Sequence, residues 1–189
     1  MKVPLRARHV VGWLALVGVC PGCLSFQQLP LKQKRPERYV ALGNQHGKKQ
    51  HIYVEQHGPK QAKQTLLLVH GFGATGRSWH MVLPALSRHY RVLVVDLPGF
   101  GYSDKYRGDY SITAVGRKVW RVADARGAKK VHLVCHSWGT AVCLGMALER
   151  PKRVESVTLI SSFAYEAQLP PFLKWAKVPV LGEILFGLM

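Results

Sequence analysis

Acidic residues are scarce in this chain. Ten Asp and Glu stand against 27 Lys and Arg in 189 residues, a net charge of +17. A chain so poor in carboxylates is drawn to anionic lipid or nucleic acid, or simply carries a lysine-rich soluble surface. Of the 27 basic side chains, 11 fall in the first 63 positions, against only Glu37 and Glu55 there. No interleaved aromatic–basic motif occurs, so no specific nucleic acid is expected, and an anionic membrane surface is the expected partner for the charge. Cysteines are few: Cys20, Cys23, Cys135 and Cys143. Cys20 and Cys23 have no second ligand pair of metal-site type, which excludes a zinc site. Cys135 and Cys143 are expected on a turn and about two helical turns beyond it. That separation is too long for an unstrained bridge, so no structural disulfide is expected. Histidine and aspartate both run out early. None of the nine histidines lies beyond His136, and no aspartate follows Ser137, which leaves only glutamates downstream.

A bilayer-spanning run is missing from the amino terminus. The apolar stretch at residues 10–19 has ten residues, too few to cross a membrane. It follows a basic start (Lys2, Arg6, Arg8) and stops at Cys20-Pro21-Gly22-Cys23, the pattern of a targeting leader. Residues 1–23 resemble a bacterial lipoprotein signal, with Cys23 the better lipidation candidate because the small Gly22 precedes it. The implied location is exported and lipid-anchored to a bacterial membrane, otherwise periplasmic or secreted. Residues 24–37 form a basic linker with Pro30 and Pro36.

From residue 38 the pattern becomes that of a folded domain. Residues 38–42 and 51–55 read as an antiparallel hairpin around the turn signal Gly43-Asn44. Residues 65–69 and 91–95 are continuous apolar runs, as in strands covered on both faces. Residues 78–87 are expected to be helical despite Pro84. Residues 111–125 form a second helix, capped by Ser111 or Thr113 and stopped by Gly127. An apolar strand then runs through Val131-His132-Leu133-Val134-Cys135 into a turn with Ser137 at its tip. A helix over 141–149 and a strand over 154–160 follow. Strands alternating with helices imply an α/β fold, with parallel pairing and a ligand site at the carboxyl ends of the strands. No internal repeat is found.

Three motifs fall at those carboxyl ends: His70-Gly71-Phe72-Gly73, Asp96-Leu97-Pro98-Gly99-Phe100-Gly101-Tyr102-Ser103-Asp104, and His136-Ser137-Trp138-Gly139. The last sits in the strand–turn–helix context of a G-x-S-x-G nucleophile turn, with Cys135 in place of the first glycine. Together, in this order and spacing, they resemble the α/β-hydrolases, in particular the group with a cap inserted after the sixth strand. The resemblance implies a mostly parallel sheet with helices on both faces. Residues 38–162 correspond to the amino-terminal part of the hydrolase core, with its first six strands, and 163–189 to the start of the cap. A serine at 137, where the epoxide hydrolases and haloalkane dehalogenases of the group carry aspartate, implies the serine branch. Ser137 would be the nucleophile, and the backbone amides of Phe72 and Trp138 the oxyanion hole. His136 matches a position that is commonly histidine but is not the general base. Asp96 and Asp104 are expected to hydrogen-bond their turn. An apolar acyl or ester substrate is implied, with Phe163, Phe172, Trp175 and Phe186 at a cap entrance. No metal or organic cofactor is implied.

The triad of such enzymes runs serine, acid, histidine in chain order. Here no histidine follows Ser137, and Glu166 is the one candidate acid near the sixth strand. The chain therefore reads as the amino-terminal part of a longer hydrolase, inactive or nearly so by itself. The alternative is a truncated, catalytically silent binding or relic protein.

Overall fold

The computed structural model describes residues 35–45, 48–106 and 108–162. The leader with Cys23, most of the linker, Glu166 and the cap residues lie outside the described residues. Six strands form one sheet: β1 (Tyr39–Gln45), β2 (Lys48–His57), β3 (Thr65–Val69), β4 (Arg91–Val95), β5 (Val131–His136) and β6 (Val154–Ile160). The strand order is β1-β2-β4-β3-β5-β6. The β1–β2 and β2–β4 pairs are antiparallel, and β4–β3, β3–β5 and β5–β6 are parallel. Three α-helices connect them: α1 (Leu83–Leu86), α2 (Ile112–Ala125) and α3 (Trp138–Glu149).

Burial follows from this order. The central strands β3 and β4 are covered on both faces, which is why their sequences are apolar without alternation. One face carries Leu67, Val69, Leu93, Val95 and Leu133 against Val115, Val119, Val142 and Met146 of α2 and α3. The other packs Leu66, Leu68, Val92 and Val94 against Trp79, Leu83 and Leu86. In β5, by contrast, Val131, Leu133 and Cys135 are buried while His132, Val134 and His136 are half-buried. Among the described residues β6 is the sheet edge, and Leu159 and Ile160 remain about two-fifths exposed.

The helices begin where backbone chemistry allows. Ser111 caps α2, its hydroxyl accepting from the Ala114 N–H at 3.3 Å. The helix expected over 78–87 is instead a 3-10 turn (Gly76–Trp79) followed by the short α1, with Pro84 in its first turn. Proline supplies no N–H and clashes with a preceding helical turn, so it starts a helix here rather than sitting within one.

The expectation about cysteines is overturned. Cys135 and Cys143 form a disulfide, with Cα atoms 6.6 Å apart and both residues fully buried. Eight residues of sequence do not place them two turns apart on one helix, because the chain reverses at Ser137 and α3 packs back across β5. Closing so short a loop is worth about 2–3 kcal/mol. Mass mapping of the unreduced protein is expected to find the tryptic peptide over 131–152 about 2 Da light, the loss of two hydrogens. Reduction is expected to lower the urea midpoint by a matching amount; two free thiols in the folded protein would contradict the bridge.

Candidate functional site

The carboxyl ends of β3, β4 and β5 meet at one end of the sheet, and each motif forms a loop there. At the β5–α3 turn, Ser137 has φ 51° and ψ −123°. A residue with a side chain reaches positive φ only at a cost of about 1–3 kcal/mol, so the surrounding structure must hold it there. Three contacts do so. The Ser137 N–H donates to the Ile160 carbonyl at 3.0 Å, and the Ser137 carbonyl accepts from the Thr140 N–H at 2.9 Å and the Thr140 hydroxyl at 2.5 Å. Gly139 lies against the β3–β4 side of the turn. A Cβ there would fall on the carbonyl oxygens of Val69 and His70. Gly71 is equally tight, since a Cβ on it would stand 2.9 Å from the Ser137 Cβ and 3.2 Å from the His136 Nδ1. The two glycines let the first and third loops touch at the serine.

Trp138 is the first residue of α3, so its N–H is one of the donors that a helix leaves unpaired internally. Its ring, Phe72 of the first loop and Phe100 of the second form a half-buried trio. Ring centroids stand 5.4 Å apart for Phe72–Phe100, 6.2 Å for Phe100–Trp138 and 6.5 Å for Phe72–Trp138. The tilted and edge-on orientations are the favourable ones for aromatic pairs. In the sequence the only signal for this trio is that each motif carries at least one large aromatic residue.

His70 and Asp96 are clamps rather than reacting groups. His70 is fully buried. Its Nδ1–H donates to the Gly71 carbonyl at 2.7 Å, and its Nε2 accepts from the Leu97 N–H at 2.9 Å. These partners fix the neutral tautomer and tie the first loop to the second. Burial drives the His70 pKa down to about 4, with His136 acting in the same direction against the Gly71 carbonyl. The Asp96 carboxylate accepts from the Gly76 N–H at 2.6 Å and the Tyr102 N–H at 2.8 Å, and burial raises its pKa despite both bonds. The Ser103 hydroxyl donates to the Asp96 carbonyl at 2.6 Å and accepts from the Tyr53 N–H at 2.9 Å. The Asp104 carboxylate accepts from the His51 N–H at 2.9 Å. The turn-bonding expected of both aspartates is found for Asp96, through Tyr102, whereas the Asp104 carboxylate ties the loop to β2 instead. Gly99 and Gly101 take positive φ of 85° and 53° in this loop, which favours glycine at both. Gly73 does the same at the end of the first motif, at 69°. His136 ends β5 on the half-buried face. No histidine ring among the described residues is hydrogen-bonded to the Ser137 hydroxyl.

The His70 clamp carries a sign. Its pKa is lower folded than unfolded, so the unfolded chain binds the extra proton first. Its contribution is complete above the unfolded value near 6.5 and is lost as pH falls towards 4. Denaturant titrations of the parent are expected to lose up to about 3 kcal/mol more between pH 6.5 and 4 than His70→Gln does. Equal slopes for the two proteins would remove the clamp.

A sequence profile described as the alpha/beta hydrolase fold matches residues 64–181. Over 119 residues the chain is 34% identical to a protein of Azorhizobium caulinodans provisionally named a carbamate hydrolase, covering 63% of this chain and 44% of that one. Over 98 residues it is 38% identical to the pimeloyl-(acyl-carrier protein) methyl ester esterase of Aeromonas salmonicida, covering 51% and 37% of the two chains. A solved hydrolase of Pseudomonas aeruginosa superposes with a TM-score of 0.63 at 28% identity, over 79% of this chain and 57% of that one. The chain spans less than half the length of the two curated relatives. The profile covers both the β3 loop and the turn at Ser137, and on that ground the chain belongs to the α/β-hydrolase fold family.

Proposed function

We propose that this chain is part of a serine hydrolase that acts on an ester or similar acyl substrate. The observation that carries the reading is Ser137, held at positive φ between β5 and α3 with Gly71 against it. In this reading the Ser137 hydroxyl attacks the acyl carbon, and the amides of Phe72 and Trp138 hold the oxyanion, each worth about 3 kcal/mol to the barrier. The trio Phe72, Phe100 and Trp138 gives an apolar acyl group a surface beside the nucleophile. A serine hydroxyl needs a base. His70 is locked in two backbone bonds and is unsuited to the part. In this reading the base and the acid come from outside the described residues, with Glu166 the candidate acid, and the described residues alone turn over substrate only weakly.

The setting proposed is the envelope or exterior of a bacterium. The leader-like residues 1–23, with Cys23 as the lipidation site, support it. So does the buried Cys135–Cys143 bridge, since such bonds form and persist in oxidising compartments. A second reading is a catalytically silent binding protein, supported by the lack of a hydrogen bond from any described histidine ring to the Ser137 hydroxyl.

One reaction separates the two. Made from its native gene, the protein is expected to give a single fluorophosphonate adduct on Ser137, with loss of fluoride, and none in Ser137→Ala. The esterase turnover of the 189 residues alone is expected to be orders of magnitude below ordinary enzyme rates. A folded native gene product whose Ser137 stays unlabelled, or labels no faster than other surface serines, would favour the silent protein.

A further inference from the structure

The end of the sheet opposite Ser137 is where the positive charge collects. β3, β4, β5 and β6 are parallel and start at this end. The turns leading into them are basic. Lys60 and Lys63 precede β3, Arg88 precedes β4, Lys129 precedes β5 and Lys152 precedes β6. All five side chains are exposed. None of them is in an ion pair with a described residue. Apart from Glu37, the acidic groups here are already engaged. Asp124 is paired with both Arg150 (3.0 Å) and Arg153, and Glu155 with Lys130 at 2.7 Å. At the other end, beside the site, lie three of the four aspartates, Asp96, Asp104 and Asp109. The domain is thus polarised along the strand direction.

The first described residues, 35–38, lie at this same basic end. Arg126 closes α2 at the foot of the sheet, and its Nη2 donates to the Glu37 carbonyl at 2.5 Å. Arg91, the first residue of β4, donates to the Arg126 carbonyl, which places the 35–38 segment beside the β4 start. Residues 24–34 are then a tether of at most about 40 Å between Cys23 and that foot.

We propose that this basic foot is a membrane-docking surface. It lies on the anionic headgroups of the bilayer that holds the leader, so the Ser137 end points away from the lipid. Each exposed lysine near an anionic surface is worth about a fivefold gain in partitioning, and the gain fades within a Debye length. Lipid is chosen over nucleic acid because the tether from an apolar, leader-like segment arrives at this end. The choice rests on the leader reading and is independent of whether Ser137 reacts.

The test uses the full chain, with vesicles of pure phosphatidylcholine or of phosphatidylcholine with 30 mol% phosphatidylglycerol. The leader contributes to both, so the quantity read is the anionic-to-neutral partition ratio. Lys129→Glu/Lys152→Glu is expected to lower the ratio at least tenfold, whereas Lys49→Glu/Arg77→Glu, the same charge change at the site end, leaves it within twofold. Amine footprinting of the unaltered chain gives a second readout that no folding defect can confuse. Lys60, Lys63, Lys129 and Lys152 are expected to lose reactivity on anionic vesicles while Lys49 keeps it. Equal losses from the two double variants, or protection of Lys49 instead of the foot, would overturn the proposal. So would a duplex DNA oligonucleotide that displaces the chain from anionic vesicles at physiological salt and protects the same lysines.

Discussion

Everything at the candidate site depends on one reversal of the chain at Ser137. The backbone enters the turn as the buried strand β5 and leaves it as α3, with a positive φ that nothing in the serine itself favours. The turn is held from four sides. Gly139 presses on the Val69 and His70 carbonyls, Gly71 on the Ser137 side chain, Thr140 on the Ser137 carbonyl, and Ile160 takes its N–H. Behind it, the Cys135–Cys143 bridge pins the strand to the helix that returns over it. A strained residue survives only where its surroundings leave it no alternative, and here the alternatives are closed by glycines as much as by bonds.

The loops around that turn are fastened by polar groups taken out of water. His70 and Asp96 are both buried, and both spend their bonding capacity on backbone N–H and carbonyl groups of neighbouring loops. Their pKa values move in opposite directions, His70 down and Asp96 up, for the same reason: burial disfavours the charged form of each. Two residue types usually suspected of proton transfer thus serve here as joints between β3 and β4.

Much of this could be read from the chain. The continuous apolar runs at 65–69 and 91–95 gave both strands at their full extent, because a strand buried on two faces leaves no room for polar residues. Ser111 named its helix start. The three glycine-bearing motifs fell at the carboxyl ends of the strands, as expected of a parallel sheet. What failed depended on three-dimensional return. Distance along the sequence argues against the Cys135–Cys143 bridge, which only the return of α3 over β5 brings within reach. The helix at 78–87 was drawn through Pro84, a residue that begins α1 instead. The role of His70 was invisible, since its partners are backbone groups of another loop. The polarity of the sheet was missed too, because the lysines before each strand are far apart in sequence and adjacent only once the strands align.

The bond from the Ser137 N–H to the Ile160 carbonyl reaches outward to the last described strand. Ile160 lies at the end of β6, an edge strand among the described residues, 23 residues beyond the serine. During synthesis all three motif loops leave the ribosome before β6 does. The turn can therefore form in outline, but it gains its final restraint only when β6 docks in register on β5. A one-residue slip of β6 would offer Ser137 the wrong carbonyl and leave its N–H without an acceptor. The geometry of the serine is thus set in part by an edge strand that contributes no side chain to it.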